Sequence, residues 1–151
     1  MKRTVISGKL LIVPVVMALC GVLVSATSSS ADPVDHRCSN RTLVGDYGFA
    51  IEGEILGANL HLRGLALQHY DGRGHITQVD HIVTEGAPPA QPWTPGTGSY
   101  SVNPDCTGVA VLNTTANQFP VHLHFIIVKE GREILQVVDA NAVSAVGRKV
   151  N

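Results

Sequence analysis

Two histidines stand one residue apart in the stretch "FPVHLHFIIVKE" (119–130): His122 and His124. In an extended strand, residues i and i+2 share a face, so both imidazoles lie on one side. If "KEGR" (129–132) is a hairpin turn, the return strand sets Ile134 against Ile127, Gln136 against Phe125, Val138 against Leu123 and Asp139 against His122. A carboxylate bonded to an imidazole fixes its tautomer and raises its basicity, as a general base or a metal ligand requires. Two imidazoles and a carboxylate are also the donor set of a facial metal triad. An HxH on a strand is more often a solvated or interface pair, so His122 and Asp139 stand as acid/base candidates and no metal is assigned.

A third candidate comes from the hairpin around "DGRG" (71–74). With those four residues as the turn, Tyr70 faces His75, Ala66 faces Val79, Gly64 faces His81 and Leu62 faces Val83. That face is apolar apart from His81, which is therefore expected to point inward. The opposite face, with His61, Arg63, Gln78 and Asp80, is expected to meet solvent. Glu52 and Glu54 are lesser candidates near the end of the first strand. No GxSxG elbow, phosphate loop, CxxC or HExxH occurs, and no serine or threonine is marked out as a nucleophile. Asn40 and Asn113 open glycosylation sequons, relevant in a eukaryotic host.

The elements that must position these residues are strands. Segments 43–55, 59–70, 74–85, 98–103, 108–115, 119–130, 132–140 and 143–150 alternate or are rich in β-formers, and "DGRG", "NPDCTG" and "KEGR" separate several of them. Between 86 and 98 lie four prolines and the single tryptophan, Trp93, a composition that predicts a long loop rather than a central strand. Eight sequential strands in a chain of 151 residues predict an all-β fold, a single antiparallel up-and-down barrel, with a β-sandwich as the alternative.

The 119–140 hairpin is apolar on both faces, whereas a half-exposed sheet should have one polar face. Either the outside of the barrel is covered in a homo-oligomer, or the inside is a partly polar pocket. In the second case His122, His124 and Asp139 line the cavity while Val121, Leu123, Phe125 and Ile127 pack on a neighbouring subunit.

The first 31 residues have a basic start, an apolar run and a small-residue end at Ser29-x-Ala31, which predicts a signal peptide cleaved after Ala31 and a secreted or periplasmic product. Removing Lys2, Arg3 and Lys9 leaves an acidic mature chain with no basic run, which argues against a nucleic-acid partner. No membrane association is expected once the leader is cut. Cys20 leaves with the signal, so Cys38 and Cys106 remain in an oxidising compartment and are expected to pair. The expected organisation is a leader (1–31), an N-terminal segment tethered by the disulfide (32–42) and a barrel domain (43–151).

The stretches "LVGDYGFAIEG" (43–53), "YDGRGHI" (70–76) and "GTGSYSVNPDCTG" (96–108), with the cysteine pair, resemble small secreted bacterial proteins of the allene oxide cyclase-like and lipocalin-like class of eight-stranded barrels. The resemblance implies an interior that holds an apolar molecule, either as a carrier or as a cyclase that steers ring closure of an oxidised fatty acid. No cyclase catalytic residue maps onto a matching position. The leading expectation is a non-catalytic barrel binding a small apolar or amphipathic molecule without a cofactor, with Trp93 near the mouth and His81, His122 and His124 as ligand-contacting candidates. A cyclase or isomerase using His122, Asp139 or His81 is the second reading, and an oligomeric structural protein the third.

Overall fold

The computed structural model describes residues 37–115 and 118–150. The expected leader and cleavage site lie outside the described residues. Eight strands follow one another along the chain: β1 (Val44–Ile55), β2 (Leu60–Asp71), β3 (His75–Thr84), β4 (Thr94–Val102), β5 (Thr107–Thr114), β6 (Val121–Val128), β7 (Glu133–Val138) and β8 (Ala142–Lys149). Each pairs antiparallel with its sequence neighbour, and β1 also pairs with β8, from Tyr47 against Lys149 to Glu54 against Ala142. That last pairing closes the sheet into an up-and-down barrel and removes both edges, which rules out the sandwich alternative.

Closure gives every strand an inside and an outside, and the alternation of side chains sorts residues between them. Tyr47, Phe49, Ala66, Tyr70, Ile76, Tyr100, Leu123, Phe125 and Ile134 are buried inside. Two interior glycines make room for aromatic rings: a Cβ at Gly108 would overlap Phe125, its partner across β5 and β6, and one at Gly147 would overlap Phe49, its partner across β8 and β1. Large-over-small pairing of this kind fills a narrow barrel without voids.

One end is sealed. All three tyrosines of the chain gather there, Tyr47 edge-on to Tyr70 at 5.4 Å and Tyr70 edge-on to Tyr100 at 5.0 Å. The segment 37–43 lies across this end. Tyr100 Oη donates to the carbonyls of Asn40 and Leu43 at 3.0 and 3.1 Å, and Tyr47 Oη donates to the Gly131 carbonyl. The expected bond between Cys38 and Cys106 is present, spanning 68 positions of sequence. It fastens the N-terminal segment to the β4–β5 turn, where the backbone N–H of Cys38 also donates to the Pro104 carbonyl at 3.1 Å.

Two details differ from the sequence reading. β4 starts at Thr94, inside the proline-rich stretch, because Pro95 falls one residue into the strand, where its missing N–H removes only a terminal ladder bond. The β2–β3 hairpin turns on three residues, not four: Asp71 remains in β2, and Tyr70 pairs with Ile76, Ala66 with Asp80, Gly64 with Ile82 and Leu65 with His81. Gly72 and Gly74 take the positive φ angles (74° and 114°) that this tighter loop requires. The β6–β7 register, in contrast, is as expected, from Ile127 against Ile134 to Leu123 against Val138.

Replacing Cys38 and Cys106 together by serine is expected to lower the unfolding free energy by roughly 2–4 kcal/mol while leaving the far-ultraviolet circular dichroism of a β-barrel. Denaturant unfolding of the variant and the parent, compared at equal m-value, checks it.

Candidate ligand-binding site

The end opposite the tyrosines is open. A cavity of about 960 Å³ runs into the barrel from it. Its mouth is bordered by Pro88, Pro89, Phe119 and Pro120, and its walls by apolar residues including Ile51, Leu62, Ile82, Leu112, Leu123 and Val138. Phe119, at the rim, is 77% exposed. The volume falls at the upper end of the usual range for small-molecule pockets, roughly 300–1,000 Å³.

Deeper in, the lining turns polar. Gln68, Gln78 and Asp80 project inward from β2 and β3, and Gln136 projects inward from β7. A directed chain of hydrogen bonds joins three of them to the tyrosine plug. Tyr70 Oη donates to Gln68 Oε1 at 2.7 Å, Gln68 Nε2 donates to Gln78 Oε1 at 2.8 Å, and Gln78 Nε2 donates to Asp80 Oδ2 at 2.8 Å. Each group satisfies the next, as buried polar groups must. Burial raises the Asp80 carboxyl above its ordinary value, outweighing the hydrogen bond from Gln78 and the neighbouring His81. Burial also raises the Tyr70 hydroxyl, which therefore keeps its proton as the donor at the head of the chain.

A four-residue turn, expected from the sequence, would place Gln78 and Asp80 on the solvent side and His81 inside. The three-residue turn reverses β3, because a shift of one residue sends each of its side chains to the other face. His81 projects outward, and its Nδ1 donates to the Pro92 carbonyl at 2.6 Å while its ring lies 5.9 Å from that of Trp93. Trp93 is half exposed and packs on His81 outside the barrel; neither residue belongs to the cavity lining. The β3–β4 loop reaches the mouth through Pro88 and Pro89 instead.

The second hairpin also faces the other way from the pocket case considered above. Leu123, Phe125 and Ile127 are buried inside, and His124 is outside, with Nδ1 2.8 Å from Asp139 Oδ1. Asp139 thus meets the diagonal neighbour, His124, rather than His122, which stands directly across. His122 and Asp139 contribute only to the rim of the cavity. No three His, Cys, Asp or Glu side chains come together as metal donors among the described residues, so the geometry does not build the facial triad. Glu52 and Glu54, on the outward-facing positions of β1, stay away from the lining.

The sign of the Asp80 shift gives a stability prediction. The unfolded chain ionises near the ordinary value of 3.8, before the folded one does, so Asp80 costs stability progressively as pH rises through that value and its own raised one. Asp80→Asn keeps an acceptor for Gln78 and carries no such cost. Its melting temperature is expected to exceed the parent's at neutral pH, with the difference shrinking below pH 3.8, as thermal scans across pH would show.

No known family profile matches the chain, and no curated protein matches it. Among solved structures it is similar to a de novo designed fluorescence-activating β-barrel, at 11% identity and a TM-score of 0.46, covering 74% of this chain and 96% of that one.

Proposed function

We propose that this chain is an extracytoplasmic, non-catalytic barrel that takes up a small apolar or amphipathic molecule through its open end. The observation that carries the reading is the cavity itself: about 960 Å³, apolar at the walls and mouth, with a few polar groups at depth. Such a site orients a ligand by few hydrogen bonds and holds it by buried apolar area. The signal-like first 31 residues and the Cys38–Cys106 bond support an oxidising compartment. The resemblance to allene oxide cyclase-like and lipocalin-like barrels fits the same use of the interior. Of the residues read from the sequence as a cyclase's acid or base, His81 lies outside the interior and His122 and Asp139 reach only its rim. Asp80 is left as the single deep ionisable group, which favours carriage over catalysis.

The mature protein is expected to bind a neutral hydrophobic dye such as Nile red saturably, one per chain. Val138→Trp, directed into the cavity, is expected to abolish that binding while the protein keeps its fold by circular dichroism. Dye affinity unchanged in the folded variant would place binding elsewhere and count against the reading.

A second reading, association of barrels through their outer walls, rests on a cross-strand row. Leu65 of β2 pairs with Ala50 of β1, Ala50 with Val146 of β8, Val146 with Leu135 of β7, and Leu135 with Ile126 of β6. Leu65 is 56% and Ile126 44% exposed, in a continuous apolar band of the kind that marks contact surfaces. Analytical ultracentrifugation is expected to give a mass above that of one chain, reduced to one chain by Ile126→Lys. A monomer at all concentrations would sink this reading and leave the cavity untouched.

A further inference from the structure

The polar level of the cavity is incomplete in a specific way. Asp80 and Gln136 are each only 7% exposed. Asp80 Oδ2 is engaged by Gln78, but among the described residues neither Asp80 Oδ1 nor the side-chain amide of Gln136 has a hydrogen-bond partner in the protein. Among the described residues no side-chain nitrogen or oxygen is both sealed and unpaired, so these atoms open onto the cavity. Leaving such groups dry would cost free energy, so they imply a polar guest or water. β3 and β7 are four strands apart in a ring of eight, so the two groups approach from opposite walls.

The charge of the lining selects among guests. No lysine or arginine among the described residues contributes to it, and its one deeply placed ionisable group is the Asp80 carboxyl. The nearest amide donor, Gln78 Nε2, gives one of its two N–H groups to Asp80. A carboxylate pushed to this depth would meet a like charge and no cation, with only neutral side-chain amides and wall hydroxyls as donors. An ammonium would meet a carboxylate oxygen on one side and an amide oxygen on the other, each an acceptor with a free site.

Resting on the carrier reading, we infer that the barrel takes an amphipathic amine head first, the ammonium seated between Asp80 and Gln136 and the hydrocarbon body lying toward Pro88, Pro89 and Phe119. The cavity then discriminates by head group, not by chain.

Dodecylamine, dodecan-1-ol and dodecanoate share one chain and differ at the head, so their displacement of Nile red from the parent protein tests the preference directly. The amine is expected to bind about tenfold or more tightly than the carboxylate, the size of a hydrogen bond to a charged group, with the alcohol between them. In Asp80→Asn the ratio of amine to carboxylate affinity is expected to collapse to within about threefold, a comparison made within one variant and so independent of its affinity for Nile red. Gln136→Leu, checked for fold by circular dichroism, is expected to weaken the amine and the alcohol several-fold, a readout independent of the first variant. Dodecanoate binding as well as the amine, or a gap that survives Asp80→Asn, overturns the inference while the carrier reading stands. Failure of the parent protein to bind Nile red or any of the three probes overturns both.

Discussion

One carboxylate oxygen sets the register on which the interior depends. Oδ1 of Asp71 accepts the backbone N–H groups of Arg73, Gly74 and His75 at 2.7, 3.0 and 3.0 Å. Those bonds hold its carboxyl down to about 2, well below the usual carboxylate range. They also define the turn, with Asp71 ending β2, Gly72, Arg73 and Gly74 forming the loop and His75 beginning β3. Because strand side chains alternate with period two, a slip of one residue would turn Val79 and His81 inward and put Gln78 and Asp80 in solvent. The polar level of the cavity therefore depends on the turn that the Asp71 carboxylate holds.

The eight strands were legible because their alternation and their turns agree, and closure followed from their number and the shortness of the chain. The cysteine pair was legible by subtraction once Cys20 was assigned to the leader. The polar interior was not. In β3 both faces mix apolar and polar residues: Ile76 and Ile82 stand with Gln78 and Asp80, and Val79 and Val83 with Thr77 and His81. A rule that hides apolar residues cannot choose between them. The available signal was the turn, where Asp followed by two glycines at i+1 and i+3 suits a three-residue loop better than a four-residue one. In β6 and β7 the register was correct but the inner face was ambiguous, since both are apolar. There the deciding feature was nonlocal: Phe125 needs the space above Gly108, which only the neighbouring strand supplies.

Polarity inside the barrel is layered and has a direction. An ionised carboxylate can only accept, so Asp80 obliges Gln78 to present its nitrogen, which obliges Gln68 to present its own to Gln78 and leaves Gln68 Oε1 for the tyrosine hydroxyl. Two side-chain amides that could each sit either way round are thus fixed by a single acid at the end of the row. The row links the aromatic plug to the cavity, so the packing at one end and the hydrogen bonding at the other are parts of one arrangement.

The covalent tether and the tyrosines occupy the same end of the barrel, and the hairpins around Pro88, Phe119 and Asn141 occupy the other. Local openings of a folded chain draw on the least anchored parts, while its survival depends on the most anchored. In a cup fastened at its base, the rim can breathe without loosening the floor. On the carrier reading, the exchange of a guest and the lifetime of the molecule are governed by separate groups of residues, so one can change without the other.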